Sequence, residues 1–440
     1  MSDVVKIIGA GFAGCEAAHQ LSKRGIKTEL YEMKPVKYSP AHSSPDLAEL
    51  VCSNSFKAMR VESAVGMMKA EMRMLSSLSL ECADECSVPA GGALAVDREK
   101  FSALMTEKIT ADENVTLIRS EVTEIPEGNV IIAAGPLASD ALSESIAELC
   151  GGSISFFDAA APIVTAESID MSRAFTQSRY GRGEPDDYVN CPMNKEEYEA
   201  FYEELINAES AETHSFDKRK QVYEGCMPIE VMASRGKDTI RYGPMKPAGL
   251  KDPSTGRMPY ANLQLRKENR EGTMYNLVGF QTNLKFGEQK RVFSMIPALK
   301  DAEFVRYGVM HRNTFLNSPG LLSSDFSLIK RPSLFFAGQI TGVEGYMESA
   351  ASGMLAGINM ARRLEGKEPL ILPPTTILGA LSRYVADESV KNFQPMGAAF
   401  GLLPPLDTKI RNKQERYAFL AQRGLDDLKK QLLGDYFFEL

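Results

Sequence analysis

The sequence has few of the residue patterns that hold metal ions or disulfide frameworks. It contains four histidines and seven cysteines, an odd number spread along 440 residues, with no Cys-x-x-Cys pair. Cys82 and Cys86 lack a second ligand pair at zinc-finger spacing, so we expect no metal site. Because disulfide frameworks are typical of short secreted chains, we expect reduced thiols.

Long hydrophobic runs are also missing. Apolar stretches such as residues 130–134 are far shorter than the ~18 residues needed to span a bilayer. The N-terminus passes directly into a strand-like segment, which leaves no room for a signal peptide. We therefore expect a cytoplasmic protein without membrane contact. The net charge of −8 would repel a polyanion, so nucleic-acid binding would need a local basic surface.

The first motif in the sequence is typical of a dinucleotide site. A strand-like segment is followed by a glycine-rich turn, a helix-like segment and a second strand that ends near Glu32. In this order the first glycine makes the turn, the second lets backbone approach a pyrophosphate, and the third lets helix and strand pack closely. Glu32 would accept hydrogen bonds from a ribose. The loop residues of this predicted site are Gly9, Ala10, Gly11, Phe12, Ala13 and Gly14.

Two later segments favour FAD over NAD as the tightly bound cofactor. One strand-like segment ends at Gly135, and another ends at Gly338 and Gln339. The second continues through Gly342 into an apolar helix predicted over residues 346–364. Both segments look like the distal FAD motifs of flavoproteins, in which a helix N-terminus faces the pyrimidine edge of the flavin.

The spacing of these motifs predicts two domains. They lie near residues 9, 135 and 338, so one nucleotide-binding domain is split by a long insertion. We expect an α/β fold, with a Rossmann-type FAD-binding domain over residues 1–164 and 321–440. An α+β insertion domain is expected over residues 165–320. Within it, residues 195–208 predict an amphipathic helix and residues 239–242 predict a strand.

The insertion carries a basic segment in a chain that is acidic overall. Between residues 234 and 272, nine basic residues stand against four acidic ones. This balance favours contact with a polyanion, and Arg235, Lys237 and Arg241 are the candidate residues for it. A solvated charged loop is the alternative interpretation.

Two cysteines lie in settings that suit a reactive thiol. Cys226 stands in a turn-like Gly-Cys-Met-Pro segment, and Cys52 is followed by Ser-Asn-Ser, which offers hydrogen-bond donors. A thiolate is the nucleophilic form, and it needs donors, cations or a helix N-terminus to stabilise it. For any single cysteine the alternative is a small buried hydrophobe, which is our interpretation of Cys15 and Cys150.

Five segments together carry a family resemblance that spans nearly the whole chain. They are Gly-Ala-Gly-Phe-Ala-Gly, Glu-Leu-Val-Cys-Ser-Asn-Ser, Tyr-Glu-Gly-Cys-Met-Pro-Ile-Glu, Arg-Tyr-Gly-Val-Met-His-Arg-Asn-Thr (306–314) and Asn-Phe-Gln-Pro-Met-Gly-Ala-Ala-Phe-Gly-Leu-Leu-Pro-Pro-Leu (392–406). In these segments the sequence resembles the TrmFO family, the bacterial folate- and FAD-dependent tRNA uracil-5-methyltransferases. Gly397 departs from the pattern, which has asparagine there.

The resemblance implies methylation at C5 of the T-loop uridine of tRNA. Methylenetetrahydrofolate would supply the carbon, NADPH or NADH would reduce FAD, and the uridine would turn out of its loop to be reached. It also implies that Cys226 adds to C6 of uracil and that Cys52 assists removal of the C5 proton. The polyanion met by the basic segment would then be tRNA. Nicotinamide preference, folate contacts and oligomeric state do not follow from the sequence.

Other functions for a flavoprotein of this kind stay open. A flavin disulfide reductase would share the cofactor motifs, but it needs two cysteines close together, commonly as Cys-x-x-Cys or Cys-x4-Cys. The sequence has neither, and the spacing of Cys82 and Cys86 is wrong for this function. A GidA-type FAD protein of tRNA wobble-uridine modification is a nearer alternative. Proteins of that type are expected to be longer, with an added helical C-terminal domain. A non-catalytic flavin- or RNA-binding protein would need neither thiol.

Overall fold

The computed structural model describes residues 4–39, 41–152, 154–159, 161–184, 186–211, 227–269, 272–308, 310–390 and 393–434. Cys226, one of the two candidate thiols, lies outside these residues. The strands are β1 (Val5–Ile8), β2 (Thr28–Glu32), β3 (Ser55–Ala58), β4 (Ser87–Val88), β5 (Ala93–Val96), β6 (Val115–Arg119), β7 (Val130–Ile132), β8 (Ile154–Ala159), β9 (Ile163–Thr165), β10 (Phe175–Thr176), β11 (Tyr188–Met193), β12 (Ala261–Lys267), β13 (Met274–Leu277), β14 (Phe304–Arg306), β15 (Met310–Phe315), β16 (Ser327–Leu328) and β17 (Arg331–Phe336).

Twelve α-helices lie between and after these strands in the described residues. They are α1 (Phe12–Ser22), α2 (Ala64–Met74), α3 (Leu78–Glu85), α4 (Arg98–Thr110), α5 (Asp140–Cys150), α6 (Lys195–Asn207), α7 (Ile229–Ala233), α8 (Thr239–Tyr242), α9 (Phe286–Phe293), α10 (Tyr346–Leu364), α11 (Ile377–Ala386) and α12 (Lys413–Leu433). Among the helices that the structure describes, none combines the length and apolarity that crossing a membrane requires.

A mostly parallel sheet forms the nucleotide-binding half of the protein. Its strand order is β16-β17-β7-β1-β2-β6, and every neighbouring pair is parallel except β16 with β17. The inner strands are apolar and buried, as expected of a sheet covered on both faces. This sheet, in which β1 is the first strand of the chain and leads into α1, confirms the predicted Rossmann-type α/β fold.

Helices α1 and α10 pack closely because small residues line their crossing. A Cβ atom on Gly353 would lie 2.1 Å from the carbonyl oxygen of Ala13, and one on Gly357 would lie 2.8 Å from that of Ala17. These two glycines are one turn apart on α10, so they share a face. Their close approach holds the N-terminus of α10 beside the glycine loop that begins α1.

A second, antiparallel sheet builds the insertion. Its strand order is β10-β11-β12-β13-β9-β14, and it has a separate core that includes Leu263, Phe201 and Phe293. The predicted helix over residues 195–208 is confirmed by α6. Since β9 already belongs to this sheet, the sheet begins at Ile163; the division at residues 164/165 and 320/321 stays a prediction.

One secondary-structure prediction within the insertion is wrong. Residues 239–242 form the short helix α8 and not a strand. Tyr242 N–H donates to the carbonyl oxygen of Asp238, which closes a helical turn between Gly236 and Gly243. The turn buries Ile240 and leaves Tyr242 exposed, so tertiary packing overrides the strand preference of a short β-branched run.

Buried glutamates join helices in the nucleotide-binding half. Glu71 of α2 accepts hydrogen bonds from the N–H groups of Ile377 and Leu378, at 2.8 and 2.9 Å, in the first turn of α11. Glu16 of α1 accepts one from Ser79 N–H, at 2.8 Å, at the start of α3. A helix N-terminus has unpaired N–H groups, so each carboxylate ties one helix to the next.

Candidate cofactor and thiol site

The glycine loop before α1 is shaped by three different steric demands. Gly9 has φ +100°, and a Cβ there would lie 2.6 Å from the carbonyl oxygen of Ala133. A Cβ on Gly14 would lie 1.8 Å from the carbonyl oxygen of Gly9. Around a Cβ on Gly11, by contrast, there is no other atom within 4 Å. The loop is therefore tight at both ends and open in the middle, where a pyrophosphate would approach.

The loop borders a cavity with about 1040 Å³ of empty space, its open mouth included. Most residues that the sequence predicted for FAD binding line it: Gly9, Ala10, Gly11, Phe12, Ala13, Glu32, Gly135, Gly338 and Gln339. Gly14 and Gly342 are not among the lining residues. Gly14 instead allows α1 to pack on the loop, and Gly342 adjoins the ring of Phe393.

Glu32 stands where β2 reaches the cavity. Its Oε2 accepts a hydrogen bond from Ala10 N–H (3.1 Å), and its Oε1 accepts one from Lys34 N–H (2.9 Å). The carboxylate is buried and therefore held in one orientation. An ionised carboxylate accepts about four hydrogen bonds, so lone pairs remain for the hydroxyls of a ribose.

The far wall of the cavity comes from the end of β17 and the first turn of α10. Gly338 N–H donates to Ser352 Oγ at 2.7 Å, which fixes the strand end on the helix. The ring of Tyr346, the first residue of α10, lies 5.0 Å from the ring of Phe12. Phe56 and Phe101 complete the aromatic cluster around Phe12. The cluster therefore joins the glycine loop to the N-terminus of α10.

Cys52 meets this wall through Tyr346. The hydroxyl of Tyr346 donates to Cys52 Sγ at 3.3 Å and accepts from Cys52 N–H at 2.9 Å. Burial raises the pKa of the Tyr346 phenol well above its usual value, so the phenol keeps its proton at neutral pH. Val51, the neighbour of Cys52, lines the cavity. The sulphur of Cys52 thus lies beside the first turn of α10, next to a residue that lines the candidate cofactor cavity.

The other described cysteines differ from Cys52. All five are buried, whereas Cys52 is partly exposed. Burial raises the pKa of the Cys82 thiol to about 12 and that of Cys150 to about 11, so neither ionises at neutral pH. Burial also raises the pKa of Cys15, as predicted for a buried hydrophobe. The role of Cys226, outside the described residues, stays a prediction.

Two side chains of the basic segment, Lys237 and Arg241, already contact other side chains of the protein. Lys237 Nζ pairs with Glu199 Oε1 at 2.8 Å, and both side chains are exposed. The guanidinium of Arg241 lies 5.0 Å from the ring centre of Tyr242 and 4.0 Å from that of Tyr260. The tRNA contacts expected of Arg235, Lys237 and Arg241 stay a prediction.

Several residues of the site were not among those that the sequence pointed to. They are Tyr346 and the arginines whose side chains bind the residues around Cys52, which are Arg98, Arg266 and Arg306. The sequence offered indirect signals for three of them, since Tyr346 begins the predicted helix over residues 346–364, Arg266 lies in the basic segment and Arg306 opens one of the family-like segments. Among the described residues, no group of three or more His, Cys, Asp or Glu side chains could hold a metal ion.

Comparisons with known proteins cover nearly the whole chain. Residues 4–368 match the family described as "Glucose inhibited division protein A". A methylenetetrahydrofolate–tRNA-(uracil-5-)-methyltransferase TrmFO from Acetivibrio thermocellus is 60% identical over 432 residues, which is 98% of this chain and 99% of that protein. The protein of the same name from Bacillus licheniformis is 56% identical over 430 residues, covering 98% of this chain and 99% of its own.

The fold is also similar to that of a solved protein. The structure of Aquifex aeolicus GidA aligns with a TM-score of 0.68 at 18% identity, covering 97% of this chain and 75% of that one. At this identity the likeness concerns the fold alone.

Proposed function

The chain belongs to the TrmFO family of methylenetetrahydrofolate–tRNA-(uracil-5-)-methyltransferases, and from this premise we propose how its residues carry the reaction. The protein is a methyltransferase that uses methylenetetrahydrofolate and tRNA, and it is a flavoprotein with FAD. Beyond this, we propose that the target is the T-loop uridine, that NADPH or NADH is the reductant and that the reaction takes place in the cytoplasm. Neither a flavin disulfide reductase nor a GidA-type protein of wobble-uridine modification is favoured as the function.

We place FAD in the cavity beside the glycine loop. The observation that carries this assignment is the open space at Gly11, flanked by the first turn of α1 and by the carboxylate of Glu32. The unpaired N–H groups of that turn suit a pyrophosphate, and Glu32 suits the ribose. Bound FAD would take electrons from the nicotinamide and pass them to the one-carbon unit.

The first turn of α10 would face the other end of the cofactor. Gln339, Tyr346 and Ser349 line the cavity there. The partial positive charge of a helix N-terminus stabilises a reduced, anionic ring system. The neutral phenol of Tyr346 meanwhile keeps Cys52 at the edge of the same space.

The two cysteines divide the chemistry of uracil between them. The thiolate of Cys226 adds to C6, and the electron pair of the C5=C6 bond then forms a bond from C5 to the one-carbon unit. The Cys52 thiolate takes the proton from C5. The electrons of that C–H bond form a double bond from C5 to the added carbon as the tetrahydrofolate nitrogen leaves with its electron pair. A hydride equivalent from the nicotinamide then adds to that carbon to give methyl, and the electrons of the double bond re-form C5=C6 as the Cys226 sulphur leaves.

Trapping with tRNA that contains 5-fluorouridine tests these roles. Fluorine at C5 cannot be removed as a proton, so the adduct at C6 persists. We expect the wild-type protein and Cys52→Ala to form a covalent complex with this tRNA, and Cys226→Ala to form none while retaining its flavin. Cys52→Ala should turn over ordinary tRNA poorly, since loss of a general base costs about 10²–10⁴-fold in rate.

Two results would overturn this assignment. If Cys226→Ala makes 5-methyluridine at the wild-type rate, that residue is not the nucleophile. If peptide mapping finds the adduct on Cys52, the two roles are exchanged. Cys150→Ala is the matched control, because Cys150 is buried in α5 and should leave both readouts unchanged.

A further inference from the structure

Two arginines hold the backbone immediately before Cys52. Arg98 Nη1, at the start of α4, donates to the carbonyl oxygen of Leu50 at 2.5 Å. Arg306 Nη2, at the end of β14, donates to the carbonyl oxygen of Val51 at 2.6 Å. Arg98 belongs to the nucleotide-binding half and Arg306 to the second sheet, so the segment before Cys52 is hydrogen-bonded from two sides.

A third arginine holds the residues that follow Cys52. Arg266 of β12 donates from Nε to Asn54 Oδ1 (3.0 Å) and from Nη2 to Ser53 Oγ (2.9 Å). Asn54 in turn donates to the carbonyl oxygen of Lys267 at 2.9 Å. We call Arg98, Arg266 and Arg306 the arginine cradle.

Negative charge around the cradle is scarce. The one carboxylate that interacts with it among the described residues is Glu268, which is 3% exposed and has its Oε2 3.0 Å from Arg98 Nη2. Tyr188 and Tyr346 also lie near the cradle, but burial raises the pKa of both phenols and keeps them neutral. Apart from the sulphur of Cys52, one carboxylate therefore balances the positive charge of three guanidinium groups.

Such an excess of buried positive charge is costly unless an anion compensates it. Burial lowers the pKa of Arg306, and the charge of Arg98 lowers it further, whereas Glu268 and the thiolate form of Cys52 oppose that shift. The thiolate likewise opposes the effect of burial on the pKa of Arg266. Because the interaction is reciprocal, the cradle favours the thiolate of Cys52 over its thiol.

We propose that Arg98, Arg266 and Arg306 are positioning residues that keep Cys52 as a thiolate at neutral pH, ready to accept the C5 proton of uracil. The identity of that proton rests on the proposed function. The ionisation of Cys52 does not, so the two claims can fail separately.

The rate of alkylation measures this ionisation directly, because only the thiolate reacts. The holoenzyme is treated briefly with iodoacetamide between pH 5.5 and 9.5, and peptide mass spectrometry gives the fraction modified at Cys52. For the wild-type protein we expect a midpoint clearly below the ~8.5 of an ordinary thiol. Arg306→Gln and Arg266→Gln should each raise the midpoint by about 1 pH unit, since each removes one opposing charge.

The direction of the midpoint shift in a third variant separates charge from structure. Glu268→Gln removes the only carboxylate named above, so the midpoint should fall below that of the wild-type protein. A merely structural disturbance would move the arginine and glutamate variants in the same direction. Arg306→Lys keeps the charge, so its midpoint should stay close to the wild-type value. If an arginine-to-glutamine variant fails to fold, Glu268→Gln and Arg306→Lys still test the proposal.

Arg331→Gln is the matched control. Arg331 Nη2 donates to the carbonyl oxygen of Pro126 at 2.6 Å, as Arg306 does to Val51, but at the edge of the first sheet. Its midpoint should equal the wild-type value. A wild-type midpoint at or above 8.5, or shifts of equal sign in Glu268→Gln and Arg306→Gln, would overturn the proposal. Loss of 5-methyluridine formation with intact midpoints would instead count against the proposed function.

Discussion

Gly11 and Gly14 lie three residues apart in the same loop, yet a side chain has different consequences at each. At Gly11 it would extend into open space at the cavity, and at Gly14 it would strike the carbonyl oxygen of Gly9. We therefore expect Gly11→Val to fold normally and to be purified without flavin, because its side chain occupies the space of the pyrophosphate. The ratio of flavin to protein absorbance, together with circular dichroism, measures this.

Gly14→Val is the companion variant. Its side chain must displace backbone, which costs at least about 1–3 kcal/mol, so its melting temperature should fall as well as its flavin content. A Gly11→Val protein that retains a full complement of flavin would show that the cofactor is not bound at this loop.

At this scale, the sequence predicted the residues that act through local spacing. Gly9, Gly11 and Gly14 could be identified because turn, approach and packing each require a missing side chain at a fixed interval. The contact between Tyr346 and Cys52 joins residues 294 positions apart, and no local pattern encodes such a pair. The same holds for the arginine cradle, which forms only when both sheets are in place.

The crossing of α1 and α10 determines where the second end of the cofactor site stands. A methyl group on Gly353 would lie closer to α1 than one on Gly357, at 2.1 against 2.8 Å from a backbone oxygen. We expect Gly353→Ala to lower the melting temperature more than Gly357→Ala and to weaken flavin binding, since α10 must move away from the loop. Thermal melting and flavin titration of the two variants test this order, and an equal or reversed order would contradict it.

The contact between α2 and α11 makes stability depend on pH. Burial raises the pKa of the Glu71 carboxyl to about 8 from 4.5, although two N–H bonds from α11 oppose the shift. Between these values the folded protein holds a proton that the unfolded chain has lost. Its free energy of unfolding therefore falls as pH rises, by up to about 1.4 kcal/mol per pH unit.

Comparison of the wild-type protein with Glu71→Gln isolates this effect, because glutamine does not titrate. The difference in melting temperature, wild type minus variant, should decrease from pH 5 to pH 8 when both holoenzymes are measured in the same buffers. Parallel curves over that range would show that Glu71 does not titrate there.

At the scale of elements, long and strongly patterned segments were predictable and short ones were not. The helix expected over residues 346–364 is α10, with the same bounds, and the helix expected over residues 195–208 is α6, which ends one residue earlier. Residues 239–242 offered too little pattern to distinguish a strand from the turn of helix that they form.

For the whole molecule, the acidic net charge means that tRNA must meet a restricted basic surface. Replacing Arg235, Lys237 and Arg241 together by alanine should weaken tRNA binding and reduce its dependence on salt, because each lost phosphate contact lowers the salt slope by about one. Binding isotherms at several salt concentrations measure both. Lys300→Ala, outside the basic segment, is the control. If the salt slope of the triple variant is unchanged, the segment is a solvated charged loop and does not contact tRNA.

The most direct test of the whole account follows the carbon itself. The purified yellow protein is incubated with unmodified tRNA, NADPH and methylenetetrahydrofolate labelled in its one-carbon unit, and the nucleosides are then separated. The account predicts labelled 5-methyluridine at the T-loop position, formed only when folate and reductant are both present and lost in Cys226→Ala. Flavin-loaded protein that reduces normally with NADPH but leaves tRNA unlabelled would contradict it.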